Sequence, residues 1–260
     1  MMLLLCYFIL YLIIFLFGAV IGSFLNVCIY RMPKEESTVR VRSHCMSCGM
    51  QLLKRDLIPI FSWIRLKGKC RSCGAKISFR YTLVEGLNAI LYVLIFAWYG
   101  LLDDPIRAIL VCLLFSALMI VFFMDLDTQL INIFVVGFIG LLGASMTVYD
   151  WIDNRNWISH ILGAVIAFAP LILLVIVTQE RAMGSGDAWL MLAAGLFLGL
   201  KAAIVALFFG LVLGSIFGMI QKVRTSNSQF AFGPYLALGT AISVFCGEAI
   251  ANGYLEICGF

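Results

Sequence analysis

Eight runs of mostly apolar residues, at 3–29, 83–102, 106–124, 133–149, 158–177, 188–200, 202–220 and 235–251, constrain this 260-residue chain more than any other feature. A helix needs ~20 apolar residues to cross a hydrocarbon core about 30 Å thick, and in lipid only helices and closed barrels satisfy every backbone polar group. Barrel strands alternate in hydrophobicity over short segments, whereas these runs are continuous and read as helices. Composition agrees, with 63% of residues apolar and 12% charged, against about half and about a quarter in an ordinary soluble domain. The expected fold is an all-α polytopic membrane protein of about eight transmembrane helices. The first run lacks a basic leader and a small-residue cleavage pattern and leads straight into Arg31, so it reads as a retained span. The run at 188–200 is short, and only Lys201 parts it from the next.

Charge placement predicts the orientation. Residues 31–80 hold twelve of the eighteen Lys and Arg residues, and cytoplasmic loops carry such an excess. With that segment inside, the N-terminus lies outside, and the segments beginning at Asp125, Thr178 and Gln221 fall on the inner side. Arg181, Lys222 and Arg224 join the inner count, leaving Arg107, Arg155 and Lys201 outside, a bias of fifteen to three. The net charge of +9 over residues 31–80 suits anionic lipid headgroups. Because the loop is tied to a membrane, lipid rather than nucleic acid is the expected partner.

The same loop contains Cys45-Met46-Ser47-Cys48 and Cys70-Arg71-Ser72-Cys73, each followed by a glycine, Gly49 or Gly74. Two CxxC pairs with turn-permitting glycines suit a tetrahedral, structural Zn2+ held by Cys45, Cys48, Cys70 and Cys73. A disulfide pair or unligated thiols is the alternative, disfavoured on a reducing cytoplasmic face. Cys6, Cys28, Cys112, Cys246 and Cys258 lie in apolar runs and read as packing residues. The expected organisation is a first transmembrane helix over 1–30, a small zinc-binding cytoplasmic loop domain over 31–80, and a helix bundle over 81–260 with its core at 106–240.

Ionisable groups at the edge of apolar spans mark functional sites by default. Two segments qualify: Asp125-Leu126-Asp127 at the end of the third run, and Gly184-Ser185-Gly186-Asp187 before the sixth. The charge count, made without reference to either, sets both on one side of the bilayer. Converging carboxylates share a proton, so one acts as base toward a water while the other donates. Gly184 and Gly186 would let a substrate chain approach Asp187 closely. The alternative is that Asp125 and Asp127 are interfacial charges and that Asp187 caps a helix starting at Ala188. Asp127, two residues on, faces away from Asp125 on a helix and reads as a solvated companion. The chain has no GxSxG, HExxH or Walker loop. Of its two histidines, His44 reads as a loop residue and His160 as a buried or interfacial one.

Taken together, these motifs resemble the type IV prepilin peptidases, GxGD-type membrane aspartyl proteases also called leader peptidase/N-methyltransferases. The resemblance runs from about Gly18 to Gly239. It rests on Gly22-Ser23-Phe24-Leu25-Asn26-Val27, Tyr30-Arg31-Met32-Pro33, the CxxC pairs, Ile58-Pro59-Ile60-Phe61-Ser62-Trp63, Arg80-Tyr81-Thr82-Leu83-Val84-Glu85, the Asp125 segment, the GxGD and Phe232-Gly233-Pro234-Tyr235-Leu236. It implies that Asp125 and Asp187 are catalytic and that Gly184, Gly186, Phe232, Gly233 and Pro234 shape the substrate site. It also implies a type IV prepilin or pseudopilin substrate, cut after glycine at the cytoplasmic face of a bacterial inner membrane. Long members of the family also N-methylate the new terminal residue with S-adenosylmethionine, a step associated with the N-terminal half. Three departures stand out: no proline follows the first cysteine of Cys45–Cys48, Ile131-Asn132-Ile133 lacks the family's proline, and Ala188-Trp189 replaces the lysine near the GxGD. A non-catalytic assembly factor and a proton-coupled transporter are the rival classes; no inverted repeat of broken helices supports the latter.

Overall fold

The computed structural model describes residues 2–181, 183–224 and 230–259; Met1, Ala182, residues 225–229, Phe260 and the side chains of Leu3 and Arg224, the last counted in the charge bias, lie outside the described residues. Described residues form nine α-helices, two three-residue 3-10 helices (Met32–Lys34 and Lys54–Asp56) and no named strand; the α-helices are α1 (Met2–Arg31), α2 (Phe61–Arg65), α3 (Phe79–Tyr99), α4 (Pro105–Thr128), α5 (Ile133–Ile152), α6 (Ile158–Thr178), α7 (Ser185–Leu198), α8 (Leu200–Arg224) and α9 (Gly233–Ile257). Seven of them are long and apolar enough to cross a membrane, so the chain is a multi-pass membrane protein. The eighth expected span, α7, has 14 residues and at 1.5 Å per residue reaches only about 21 Å. Its end is set not by Lys201 but by Gly199, whose φ of +79 turns the chain before α8 begins at Leu200.

The chain divides into two compact units, Met1–Ser116 and Ala117–Phe260. In the first, α1 lies against α3. A Cβ on Gly18 would sit 2.8 Å from the Ala89 Cα, and one on Gly22 would sit 2.7 Å from the Glu85 Cα. Between lipid-bathed helices no hydrophobic drive remains, so close approach of small residues and buried hydrogen bonds hold the pair. Asn88, fully buried, donates to the Gly18 carbonyl at 2.8 Å and accepts from Ser116 Oγ at 3.0 Å. Much of the outer face of α1, from Leu4 and Phe8 to Phe17 and Val20, is exposed, as a lipid-facing surface requires.

The loop between α1 and α3 folds on itself. Arg31, buried at the end of α1, donates to the carbonyls of Ser37, Val41 and Arg42, so one of the loop's twelve bases is absorbed by the fold. Arg71 and Arg65 pair with Asp56, and the Arg71 hydrogen bond holds that carboxyl below its usual range. Trp63 Nε1 donates to the Ile77 carbonyl at 3.1 Å and its ring packs edge-on against Phe79.

In the second unit α7 packs on α5 and α6, and α8 on α6 and α9. Helices α6 and α7 cross at Gly163 and Gly195, where a Cβ on Gly195 would come within 2.5 Å of the Gly163 carbonyl oxygen. The short helix is thus held by backbone contact, and Leu200 N adds a bond of 2.9 Å to Ser159 Oγ. Buried His160 bridges the Leu196 carbonyl at 3.0 Å and Asp150 at 2.9 Å, in keeping with a structural histidine.

Candidate active site

Asp125 lies in the last turn of α4 and is only 4% exposed, behind fully packed Met124. The helix ends at Gln129, in the left-handed region at φ +54. Three residues later Asn132 restarts the chain as the N-cap of α5, its side chain accepting from Phe134 N at 2.9 Å. The family's missing proline is therefore replaced here by a side-chain cap.

The carboxylate of Asp125 accepts a hydrogen bond of 2.9 Å from the Gly233 backbone N–H, in the first turn of α9. That N–H is one of the orphan donors at a helix N-terminus, where the dipole favours negative charge. The fit requires glycine: a Cβ at Gly233 would stand 2.7 Å from Asp125 Oδ2. Pro234 follows in the first turn of α9, where its fixed φ suits a helix start. Phe232 turns away, its ring filling the space at Gly214 of α8 and meeting Phe230 edge-on. At this motif it is thus the Gly233 backbone that reaches the aspartate.

Asp187 does not cap a helix starting at Ala188. Helix α7 begins at Ser185 with Gly184 as N-cap, so Asp187 is the third helical residue. From there its carboxylate reaches back toward the Gly184 backbone N–H, the acidic half of a capping box. Asp187 is 7% exposed, and its Oδ1 has no hydrogen-bond partner among the described residues. Ala188 beside it is fully buried, and Trp189 packs against Phe168 where the family's lysine is absent.

Ile131 links the two carboxylates' surroundings. A Cβ on Gly186 would lie 3.1 Å from Ile131 Cβ, and one on Gly233 would lie 3.2 Å from Ile131 Cδ1. Asp125 is near enough to act electrostatically on Asp187. Asp125, Asp187, Gly184, Gly186 and Gly233 therefore gather at the start of two helices and the end of a third, while Asp127 is exposed. Ile131, which occupies the space between the glycines, has no chemical signature that singles it out in the sequence.

In the first unit, the sulfurs of Cys45, Cys48, Cys70 and Cys73 all lie within 4.8 Å of one another and can hold a metal ion. All nine cysteines are free thiols. Each CxxC closes a turn in which the amide of the following glycine returns to the first cysteine: Gly49 N to Cys45 O at 2.9 Å, and Gly74 N to Cys70 O at 3.0 Å. A Cβ on either glycine would meet nothing, so it is their φ of +71 and +72 that calls for glycine. Amides of Cys48 and Ser47 lower the Cys45 thiol to about 6. Cys28 and Cys112 are buried as packing residues should be, whereas Cys6, Cys246 and Cys258 are exposed.

Residues 16–99 match the Bacterial Peptidase A24 N-terminal domain, and residues 112–219 match the Type IV leader peptidase family. A prepilin leader peptidase/N-methyltransferase of Bacillus subtilis is 31% identical over 249 residues, covering 94% of this chain and 98% of that protein. A type 4 prepilin-like proteins leader peptide-processing enzyme of Escherichia coli is 33% identical over 254 residues, covering 88% and 91%. A prepilin leader peptidase/N-methyltransferase of Pseudomonas aeruginosa is 29% identical over 276 residues, covering 94% and 93%. No solved structure matches the chain. With both of its halves matched and relatives aligned along nearly their full length, the chain belongs to the type IV leader peptidase family and is a membrane protease.

Proposed function

We propose that this enzyme removes the short basic leader from type IV prepilins or pseudopilins, cutting after glycine with Asp125 and Asp187 as an aspartyl dyad. The observation that carries this is a pair of buried carboxylates, Asp125 held by the Gly233 amide and Asp187 reaching back toward that of Gly184, with Asp187 Oδ1 left without a partner among the described residues. Two such groups held in a buried site do not both ionise. The ionised one takes a proton from water as its oxygen attacks the amide carbon. The protonated one donates to the carbonyl oxygen, giving a tetrahedral diol. Proton return to the nitrogen then breaks the C–N bond, releasing the leader's carboxylate and the mature amine. Gly184 keeps the approach to Asp187 open, Gly186 lets Ile131 pack close beside it, and Gly233 fixes Asp125.

The fifteen-to-three bias in Lys and Arg supports an N-terminus outside and both carboxylates at the cytoplasmic face of the inner membrane. That is where a scissile bond between a basic leader and a lipid-embedded helix would lie. Four thiolates around Zn2+ at about 2.3 Å place their sulfurs about 3.8 Å apart; Cys45 Sγ and Cys73 Sγ are 3.9 Å apart. The donor set suits a structural zinc that braces the 31–80 loop. The names of two relatives support a second activity, methylation of the new terminal amine, for which S-adenosylmethionine supplies a sulfonium-bound methyl group. Co-expression with a precursor tests both activities: cleavage after glycine and a terminus heavier by one methyl are expected. An uncut precursor contradicts the first, an unmodified terminus the second.

A further inference from the structure

The first unit contains a cavity of about 650 Å³, inside the ~300–1,000 Å³ range of small-molecule sites. It is walled by α1, α3 and the folded loop, and Trp63 and Tyr81 supply aromatic surface; the Tyr30 ring is covered by Lys34, whose Nζ lies 3.7 Å from its centroid, and Arg31, Arg71 and Lys76 also line the cavity. Ser23, Asn26 and Glu85 bring polar groups from the two helices. Glu85 is 8% exposed. Its Oε2 accepts from Ile60 N at 2.7 Å, the Ser23 hydroxyl lies close by, and no cationic side chain among the described residues is paired with it.

The Ile60 amide is presented by a strained turn. Ile60 has φ +62 and ψ −55, and Phe61 N donates to the Pro59 carbonyl at 2.5 Å. This is a γ-turn of the rare positive-φ kind, centred on a β-branched residue that disfavours it. Strain of this kind persists where the surroundings over-determine it and clusters at ligand sites. A carboxylate removed from water and bonded only to neutral groups is a receptor for a cation. Trp63 and Tyr81 in the same cavity add attraction for a positively charged sulfur or nitrogen and stacking surface for a heterocycle.

We infer that this cavity is the methyl-donor site, and that Glu85 receives the cationic end of an adenosyl-sulfonium ligand where α1 and α3 cross. It rests on the methylation reading above and adds to it the residues that hold the donor. The transfer these residues would serve forms an N–C bond, breaks the C–S bond with its electron pair going to sulfur, and frees one proton from the pilin ammonium. That proton leaves for solvent before the free amine attacks the methyl carbon, so Glu85 stays ionised opposite the sulfonium.

The test uses full-length protein in lipid nanodiscs, irradiated with methyl-labelled S-adenosylmethionine and mapped by peptide mass, with precursor cleavage recorded in the same sample. Label on peptides spanning 23–34 or 60–85 is the expected result. Label confined to residues 117–260, or no label in a sample that cleaves precursor, overturns the inference and leaves the peptidase reading standing. Calorimetric titration of Glu85→Gln with S-adenosylhomocysteine and S-adenosylmethionine completes it, the melting midpoint reporting that the variant is folded. At least a tenfold weaker affinity for the sulfonium ligand than wild type is expected. A folded variant with wild-type affinity overturns the role of Glu85.

Discussion

The Gly233 amide donates to the Asp125 carboxylate across 2.9 Å, joining positions 108 residues apart. The bond ties the end of one helix to the start of another and leaves no room for a side chain at Gly233. Gly233→Ala therefore displaces the carboxylate by some tenths of an ångström or more. A misplacement near 1 Å can lower a rate about 100-fold. Steady-state cleavage by the purified variant should show a reduced kcat with the melting midpoint close to wild type. An unchanged kcat would mean that this contact does not position the reacting group.

Crossing of α6 and α7 at Gly163 and Gly195 holds the short helix that carries Asp187. Gly195→Val forces the backbones apart, and overpacking of this kind costs roughly 1–3 kcal/mol. Thermal unfolding in detergent should show a lower midpoint, accompanied by reduced cleavage. A wild-type midpoint would contradict the close packing.

On the zinc reading proposed above, chelation should loosen the loop, because the binding energy of a structural site is folding energy. Treatment with a strong chelator, or Cys45→Ser with Cys73→Ser, should eliminate bound zinc and open the 31–80 segment to trypsin at its many basic residues. Elemental analysis and the digestion pattern read this directly. Unchanged zinc content in the double variant would remove the four-cysteine site.

Asn132 caps α5 where a proline is the family's usual residue. Asn132→Ala removes the acceptor for Phe134 N and should lower stability by about 1 kcal/mol, read as a small drop in midpoint. An unchanged midpoint would show that the cap contributes nothing.

Seven of the eight expected spans were legible because lipid enforces them: a crossing helix needs a long apolar run whatever its neighbours, and α7 was over-read because its apolar run stops at 14 residues. The acidic segments at Asp125 and Asp187 were legible because charged residues at the edge of apolar runs are rare, whereas Gly233 entered only through the family resemblance. The register of α7 was not. The sequence offers Asp187 as the N-cap of a helix from Ala188, whereas Gly184, extended at φ −74, takes the cap and makes Asp187 the third helical residue. Nor was the helix break at Gly199, whose positive φ has no signal distinct from that of other apolar-run glycines. The Glu85–Ile60 bond was hidden for a deeper reason. It depends on a turn that local propensity assigns to glycine rather than isoleucine, held by a carboxylate from a helix that follows the loop.

The pairing of Asp125 with Asp187 is tested most directly by single-turnover cleavage of a prepilin by Asp125→Asn, Asp187→Asn and the double variant in one lipid preparation. General acid–base groups contribute ~10²–10⁴-fold each, and residues acting as a unit are not additive. Each single variant should fall by about 10³-fold or more, with the double variant no slower than the worse single. Wild-type cleavage by either single variant would contradict the dyad.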